Sequence, residues 1–289
     1  MCVAFGLQGG GTGKTTISFN VAVKMAREGR RVFFIGMDMG RQSAVYLWDK
    51  RVADHIYKGE IATIREYFKG KARPLEIAYE SNMVKNLFFV PAGHGKIEMK
   101  ELRRSADMFS KLVSEYKKYG RVIVDCPGSG GLSSVLDYLM IFSSCDSFVP
   151  VVEPNEASIT NAIRLANMAH LSGIPVNLVV LNKVKDGNQD MMERARKILT
   201  AEGDVILVKY SDRFVEAYER GAPLVDLYPE SDEAKSIARI AEIIERRAVP
   251  MGKAGPERIR TALSIIEGQE VAEIDLSILR HVKNLFRRK

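Results

Sequence analysis

Short runs of apolar residues alternate along the chain with longer stretches whose apolar positions recur every three or four residues. The runs Cys2–Leu7, Arg31–Ile35, Asn86–Val90, Val122–Asp125, Ser147–Val152, Asn177–Leu181 and Val205–Val208 predict strands. The stretches Thr15–Glu28, Glu98–Lys118, Ala157–Leu171, Gln189–Ala201, Phe214–Arg220 and Glu233–Arg246 predict helices. A strand that is apolar without alternation is buried on both faces, and strands separated by helices read as successive βα units. The expected fold class is therefore α/β: a doubly wound, mostly parallel sheet with helices on both faces. The pattern stops near Arg247. Ala248–Gly255 holds one proline and two glycines in eight residues and reads as a linker. Beyond it, Pro256 can open a short helix that Gly268 ends, and Asp275 can cap a last helix. The expected organisation is one domain over 1–247, followed by a linker and helical tail over 248–289.

Composition agrees with a folded chain. Hydrophobic residues make up 46% and charged residues 27%, which excludes disorder over most of the length. No run approaches 18 apolar residues, so no membrane-spanning helix is expected. The first residues lack the basic stretch of a signal peptide. Cys2, Cys126 and Cys145 are odd in number and have no CxxC spacing, which points to a reducing cytoplasm and no structural zinc. The net charge is +7, yet residues 280–289 alone carry Arg280, Lys283, Arg287, Arg288 and Lys289 with no acid, leaving +2 for all that precedes. The basic character belongs largely to the tail, and it implies an anionic partner.

The chemistry concentrates after the first strand. Gly9-Gly10-Gly11-Thr12-Gly13-Lys14-Thr15-Thr16 lies between a predicted strand and a predicted helix. Glycines let the backbone curl so that successive N–H groups face an anion, and the helix N-terminus adds its positive end. In such a phosphate loop Lys14 reaches the β- and γ-phosphates and the Thr15 hydroxyl ligates Mg²⁺. The four histidines (His55, His94, His170, His281) share no metal-ligand spacing, and Tyr46 and Trp48 read as packing residues. Asn182-Lys183-Val184-Lys185 lacks the carboxylate that a guanine-reading NKxD motif needs at its fourth position, since Asp186 comes one place late. ATP is favoured over GTP.

Gln8 stands where the usual loop has its first glycine, and the string Leu7–Thr16 resembles the deviant phosphate loop of the ParA/MinD ATPases. Ile35–Gly40 resembles that family's switch I strand end, Val122–Gly128 its Walker B strand and switch II, Pro150–Pro154 the next strand, and Leu181–Lys183 the strand after it. Ala217, Gly221 and Pro223 fall in a further family pattern. The resemblance spans roughly 1–247. It implies a P-loop fold, Asp38 as the catalytic aspartate that orients water, and Asp125 as a carboxylate holding Mg²⁺ through water. It also implies Asn182 facing adenine, and Gly128, Gly130 and Gly131 letting switch II move. Asp38 could instead sit in the Mg²⁺ shell or merely form a turn. Two positions depart from the pattern. The family's signature lysine, which crosses a dimer interface to the partner's phosphates, falls at Gly9, and the first switch I aspartate falls at Gly36. Arg41 is the nearest arginine that could substitute.

In the tail, Leu276, Ile278, Leu279, Val282, Leu285 and Phe286 recur at helical spacing with basic residues between them, forming a basic amphipathic helix. It resembles the C-terminal membrane-targeting helix of MinD. The open alternatives are docking on its own domain or a partner, and binding to non-specific DNA. The expected function is that of an ATP-hydrolysing switch for spatial positioning or partition. It would work through an ATP-dependent homodimer, a stimulating partner protein, and an anionic membrane surface bound through 276–289 or DNA. A catalytically weak ATP-binding scaffold is the second reading, and a transferase or metal-cluster carrier of the same superfamily the third. The expected location is cytoplasmic, peripheral at the inner face of the cell membrane.

Overall fold

The structure is a computed structural model and describes residues 1–37, 54–56, 58–93, 102–128, 132–185, 193 and 204–247. Among the described residues eight strands form one sheet, in the order β3-β4-β2-β5-β1-β6-β7-β8. They are β1 (Cys2–Gly6), β2 (Val32–Gly36), β3 (Tyr79–Glu80), β4 (Leu87–Pro91), β5 (Arg121–Asp125), β6 (Ser147–Val152), β7 (Leu178–Val184) and β8 (Asp204–Lys209). All pairings are parallel except β3 with β4. The order doubles back at β1, which lies between β5 and β6. In such open sheets ligands bind beyond the carboxyl ends of the strands at the point of reversal, and here β1 leads into the glycine loop.

The helices are α1 (Lys14–Arg27), α2 (Ile64–Phe68), α3 (Leu102–Lys117), α4 (Leu132–Phe142), α5 (Glu156–Leu171), α6 (Arg213–Glu219), α7 (Leu224–Leu227) and α8 (Asp232–Arg247). A turn of 3₁₀ helix covers Pro74–Ile77. Two cores separate on the two faces of the sheet. Along β1, Cys2 and Ala4 join one, with Phe109 and Tyr116 of α3; Met1, Val3 and Phe5 join the other, with Phe19 of α1 and Ile240 of α8. That split is the two-residue period of a strand buried on both sides. The amphipathic α8 turns Ile237, Ile240, Ile243 and Ile244 inward, each worth about 1.5–3 kcal/mol of transfer free energy.

All seven predicted strands are present to within three residues, and the mostly parallel α/β class holds. Three helices and the edge strand β3 have no counterpart in the pattern reading. α4 escapes the pattern because its sequence, LSSVLDYLMIF, is apolar on nearly every side and so carries no helical period. α2 and α7 span only five and four residues. The stretch predicted as helix over Gln189–Ala201 lies outside the described residues but for Glu193, and so does the tail over 248–289. Among the described residues no helix is long and apolar enough to cross a membrane.

Candidate nucleotide-binding site

Seven residues link the end of β1 to the start of α1. Gly9, Gly11 and Gly13 adopt φ values of +112°, +83° and +89°, a region that costs an L side chain roughly 1–2 kcal/mol. Alternate glycines are what permit this curl. Side chains added at Gly9, Gly10 or Gly11 would meet nothing within 4 Å, whereas a Cβ at Gly13 would fall 2.2 Å from Asn182 Nδ2. The outer rim is open and the inner end is closed by β7. Gly13 caps α1 without any side-chain acceptor, and the first turn of α1 contains no acid. The first-turn amides and the positive helix end are therefore uncapped by side chains and suit an anion.

Lys14 lies beneath the loop, only 6% exposed. Its ammonium donates to the Gly9 carbonyl at 2.8 Å. Gly9 N–H donates to the carbonyl of Gly128 at 2.9 Å, which ties the loop to the segment that follows β5. Gly128 has a reason beyond the freedom expected from the sequence: a Cβ there would stand 3.0 Å from Lys14 Nζ. Gly130 and Gly131 lie outside the described residues.

Asp125 ends β5, in register with Phe5 of β1, and is 2% exposed. The Thr15 hydroxyl donates to its Oδ2 at 2.7 Å and the Ser18 hydroxyl to its Oδ1 at 3.4 Å. A hydroxyl and a carboxylate in contact at a helix N-terminus form an all-oxygen donor set, the kind Mg²⁺ prefers alongside waters and substrate phosphates. Thr15 and Asp125 are thus the pair that could hold the metal. Among the described residues no group of three or more His, Cys, Asp or Glu side chains forms a metal site of its own. His55 pairs instead with Glu60.

The end of β7 closes the other side. Asn182, 5% exposed, donates from Nδ2 to the Thr12 carbonyl at 2.8 Å. Lys183 adopts φ +57° where β7 has an irregular register against β8. Its ammonium bonds the Gly11 carbonyl and pairs with Glu153 Oε1 at 2.7 Å. A trans peptide unit points its C=O and N–H in opposite directions. Carbonyls 11 and 12 held toward β7 therefore turn the N–H groups of Thr12 and Gly13 away from it. The family resemblance implies that Asn182 faces adenine; in the structure its amide holds the loop backbone. Nothing in the sequence marks Lys183 for this contact beyond its adjacency to that asparagine.

The structure thus brings Gly9–Thr16, Asp125 and Asn182 together. Asp38 and Arg41 lie outside the described residues. A doubly wound sheet whose central strand runs through a glycine loop into a helix N-terminus, with a buried lysine and a Thr–Asp pair beside it, defines a P-loop nucleotide-binding protein. The chain belongs to the CobQ/CobB/MinD/ParA nucleotide-binding domain family, whose match spans residues 3–224. An uncharacterized ATP-binding protein of Methanocaldococcus jannaschii is 26% identical over 234 residues, covering 80% of this chain and 83% of the relative. The septum site-determining protein MinD of Thermotoga maritima is 25% identical over 252 residues, covering 84% and 87%. The structure of MinD complexed with Mg-ADP from Pyrococcus horikoshii superimposes with a TM-score of 0.67 at 19% identity, covering 85% of this chain and 96% of that one.

Proposed function

We propose that this protein is an ATP-binding and ATP-hydrolysing switch of the ParA/MinD type, used to position or partition DNA or a cellular complex. The observation that carries the reading is the convergence of Lys14 beneath the loop with Thr15 donating to Asp125 at 2.7 Å. Phosphoryl transfer to water needs a neutralised phosphate, an in-line water and little covalent help. Lys14 and the loop amides bind the β- and γ-phosphates, and Asp38 orients the attacking water. Thr15 and Asp125 are the residues that would hold Mg²⁺, which would supply charge neutralisation at the phosphates; the complex of the archaeal MinD with Mg-ADP supports that choice. ATP favours a homodimer, a partner protein stimulates hydrolysis, and the tail over 276–289 attaches the dimer to an anionic membrane.

The competing reading is an ATP-binding scaffold without turnover, and it is favoured by Gly9 standing in place of the signature lysine. The test is titration of the full chain with a fluorescent ATP analogue alongside measured phosphate release. Lys14→Ala removes a charged donor from the phosphates and is expected to weaken binding about 10- to 100-fold, the range for a charged hydrogen bond of about 1.5–3 kcal/mol. Parent-like affinity in that variant refutes the phosphate-loop assignment. Tight binding by the parent without phosphate release leaves the scaffold.

A further inference from the structure

Two of the three cysteines meet at the end of the sheet opposite the nucleotide loop. Cys2 opens β1 and Cys145 sits in the turn between α4 and β6. Although 143 residues apart in sequence, their Sγ atoms are 2.9 Å apart. The main chain holds both sides of the contact. Asp146 N–H donates to the Cys2 carbonyl at 2.8 Å, and Cys2 N–H donates to Asp146 Oδ2 at 2.7 Å. Lys117 fixes that carboxylate from α3 at 2.7 Å. Both thiols are at most 2% exposed and both belong to the core on the α3 and α4 side of the sheet.

We propose that Cys2 and Cys145 form an oxidisable dithiol, a modification site that closes to an intramolecular disulfide under a small oxidant of the peroxide class. A disulfide has its sulfurs about 2.05 Å apart, so these two must approach by only about 0.9 Å. In the first step a thiol loses its proton and its sulfur attacks one peroxide oxygen, giving a sulfenic acid and releasing water. In the second, the other thiol's sulfur attacks the sulfenic sulfur, the S–O bond breaks, and a second water leaves with the remaining proton. The two sulfurs lose two electrons together and one hydrogen peroxide is reduced to two waters. The setting makes the reaction slow rather than signalling-fast, because burial raises the Cys145 thiol well above its ordinary range and the thiolate is the nucleophile. Cys126 cannot compete. It follows β5 at the opposite end of β1, where its N–H donates to the Phe5 carbonyl, about 13 Å along the strand from Cys2 at 3.3 Å per residue.

The bond would enclose almost half the chain and tie β1 to the start of β6, well away from the phosphate loop. Stability should rise while nucleotide affinity stays put, so the result is independent of the ATPase reading. The test exposes the full-length folded chain to hydrogen peroxide, removes the oxidant, unfolds and alkylates without reduction, and maps the peptides by mass. The expected product is a Cys2–Cys145 linked peptide pair lighter by two hydrogen atoms, with Cys126 alkylated. The thermal midpoint should rise by about 5–15 °C, reversed by a reducing agent. Cys2→Ser and Cys145→Ser chains should give neither the link nor the rise. The parent map stands without those variants should either fail to fold. Alkylation of all three cysteines, a link through Cys126, or oxidation past the sulfenic stage without a link each overturns the proposal.

Discussion

Lys183 offers a sharp test because its backbone and its side chain pull in opposite directions. Its φ of +57° is a conformation that costs a non-glycine residue about 1–2 kcal/mol. Its ammonium holds the Gly11 carbonyl and pairs with Glu153. Lys183→Gly relieves the strain but removes the tether. Relief of about 1–2 kcal/mol is offset by the extra unfolded-state freedom of glycine, about 0.5–1 kcal/mol. The loss of an ion pair whose side chains are 41% and 26% exposed takes away about 1 kcal/mol more. The thermal midpoint should therefore stay within about 3 °C of the parent. Nucleotide affinity should not stay. With the Gly11 carbonyl free to turn toward an anion, the Thr12 N–H is no longer held in place, and one poorly placed donor of about 1–1.5 kcal/mol corresponds to about 5- to 10-fold weaker binding. Titration with a fluorescent ATP analogue and a melting curve on the same preparations measure both. Lys183→Arg, which can still reach the carbonyl and Glu153, should bind within about 3-fold of the parent. If Lys183→Gly binds like the parent, the lysine merely occupies an irregular strand end. If it melts well below the parent, the balance between strain and tether is wrong.

Further outcomes follow from the same structure and from the proposed function. Asp38→Ala should bind ATP with nearly parent affinity yet release phosphate at least about 100-fold more slowly, since a water-orienting group acts in the transition state; parent-like turnover would put another residue in that role. Phe286→Glu, which breaks the apolar face of the tail and keeps its five basic residues, should abolish ATP-dependent sedimentation with anionic vesicles, whereas a DNA-binding tail would tolerate it and weaken with rising salt instead. Glu245 accepts both bonds of a forked contact from Arg121, at 2.7 and 2.9 Å, and that contact holds its carboxyl below the usual range. A depressed acid stabilises the fold above its unfolded value, about 4.3, and loses that contribution as pH falls through its folded value. Glu245→Gln should thus cost about 0.5–1 kcal/mol at pH 7 and converge on the parent once the pH falls below that lowered folded value, as denaturant melts at about pH 7 and in acid will show.

What the sequence disclosed, and what it hid, follows from the range of the forces involved. Runs such as VAF in β1 and VIV in β5 are buried on both sides, so local composition alone marks them. The loop from Gly9 to Thr16 is legible because each glycine and the lysine carry a local reason. Gly128 is different. Its flexibility could be guessed from residue type, but the reason for glycine there is a lysine ammonium 114 positions earlier in the chain. The role of Lys183 is illegible in the sequence for a related cause: its partners, Gly11 and Glu153, come from two other segments. The thiol contact was hidden most completely. Cysteine counting tests spacing along the chain, and Cys2 and Cys145 become neighbours only once β6 lies beside β1.

At Gly9 the fold bears on whether the missing side chain is a simple loss. The ParA/MinD resemblance places a lysine there. Space is no obstacle, since a Cβ at Gly9 would meet nothing within 4 Å. The backbone is the obstacle. At φ +112° a lysine is strained by about 1–3 kcal/mol, and the N–H of that residue is committed to the Gly128 carbonyl. Restoring the lysine would either hold that strain or shift the loop at the point where it meets the segment after β5, with the Lys14 ammonium bonded to the carbonyl of the same residue. The loop has thus settled on a glycine geometry at this position, and its neighbours depend on it. A positive charge crossing to a second subunit's phosphates would have to come from a different element of the chain.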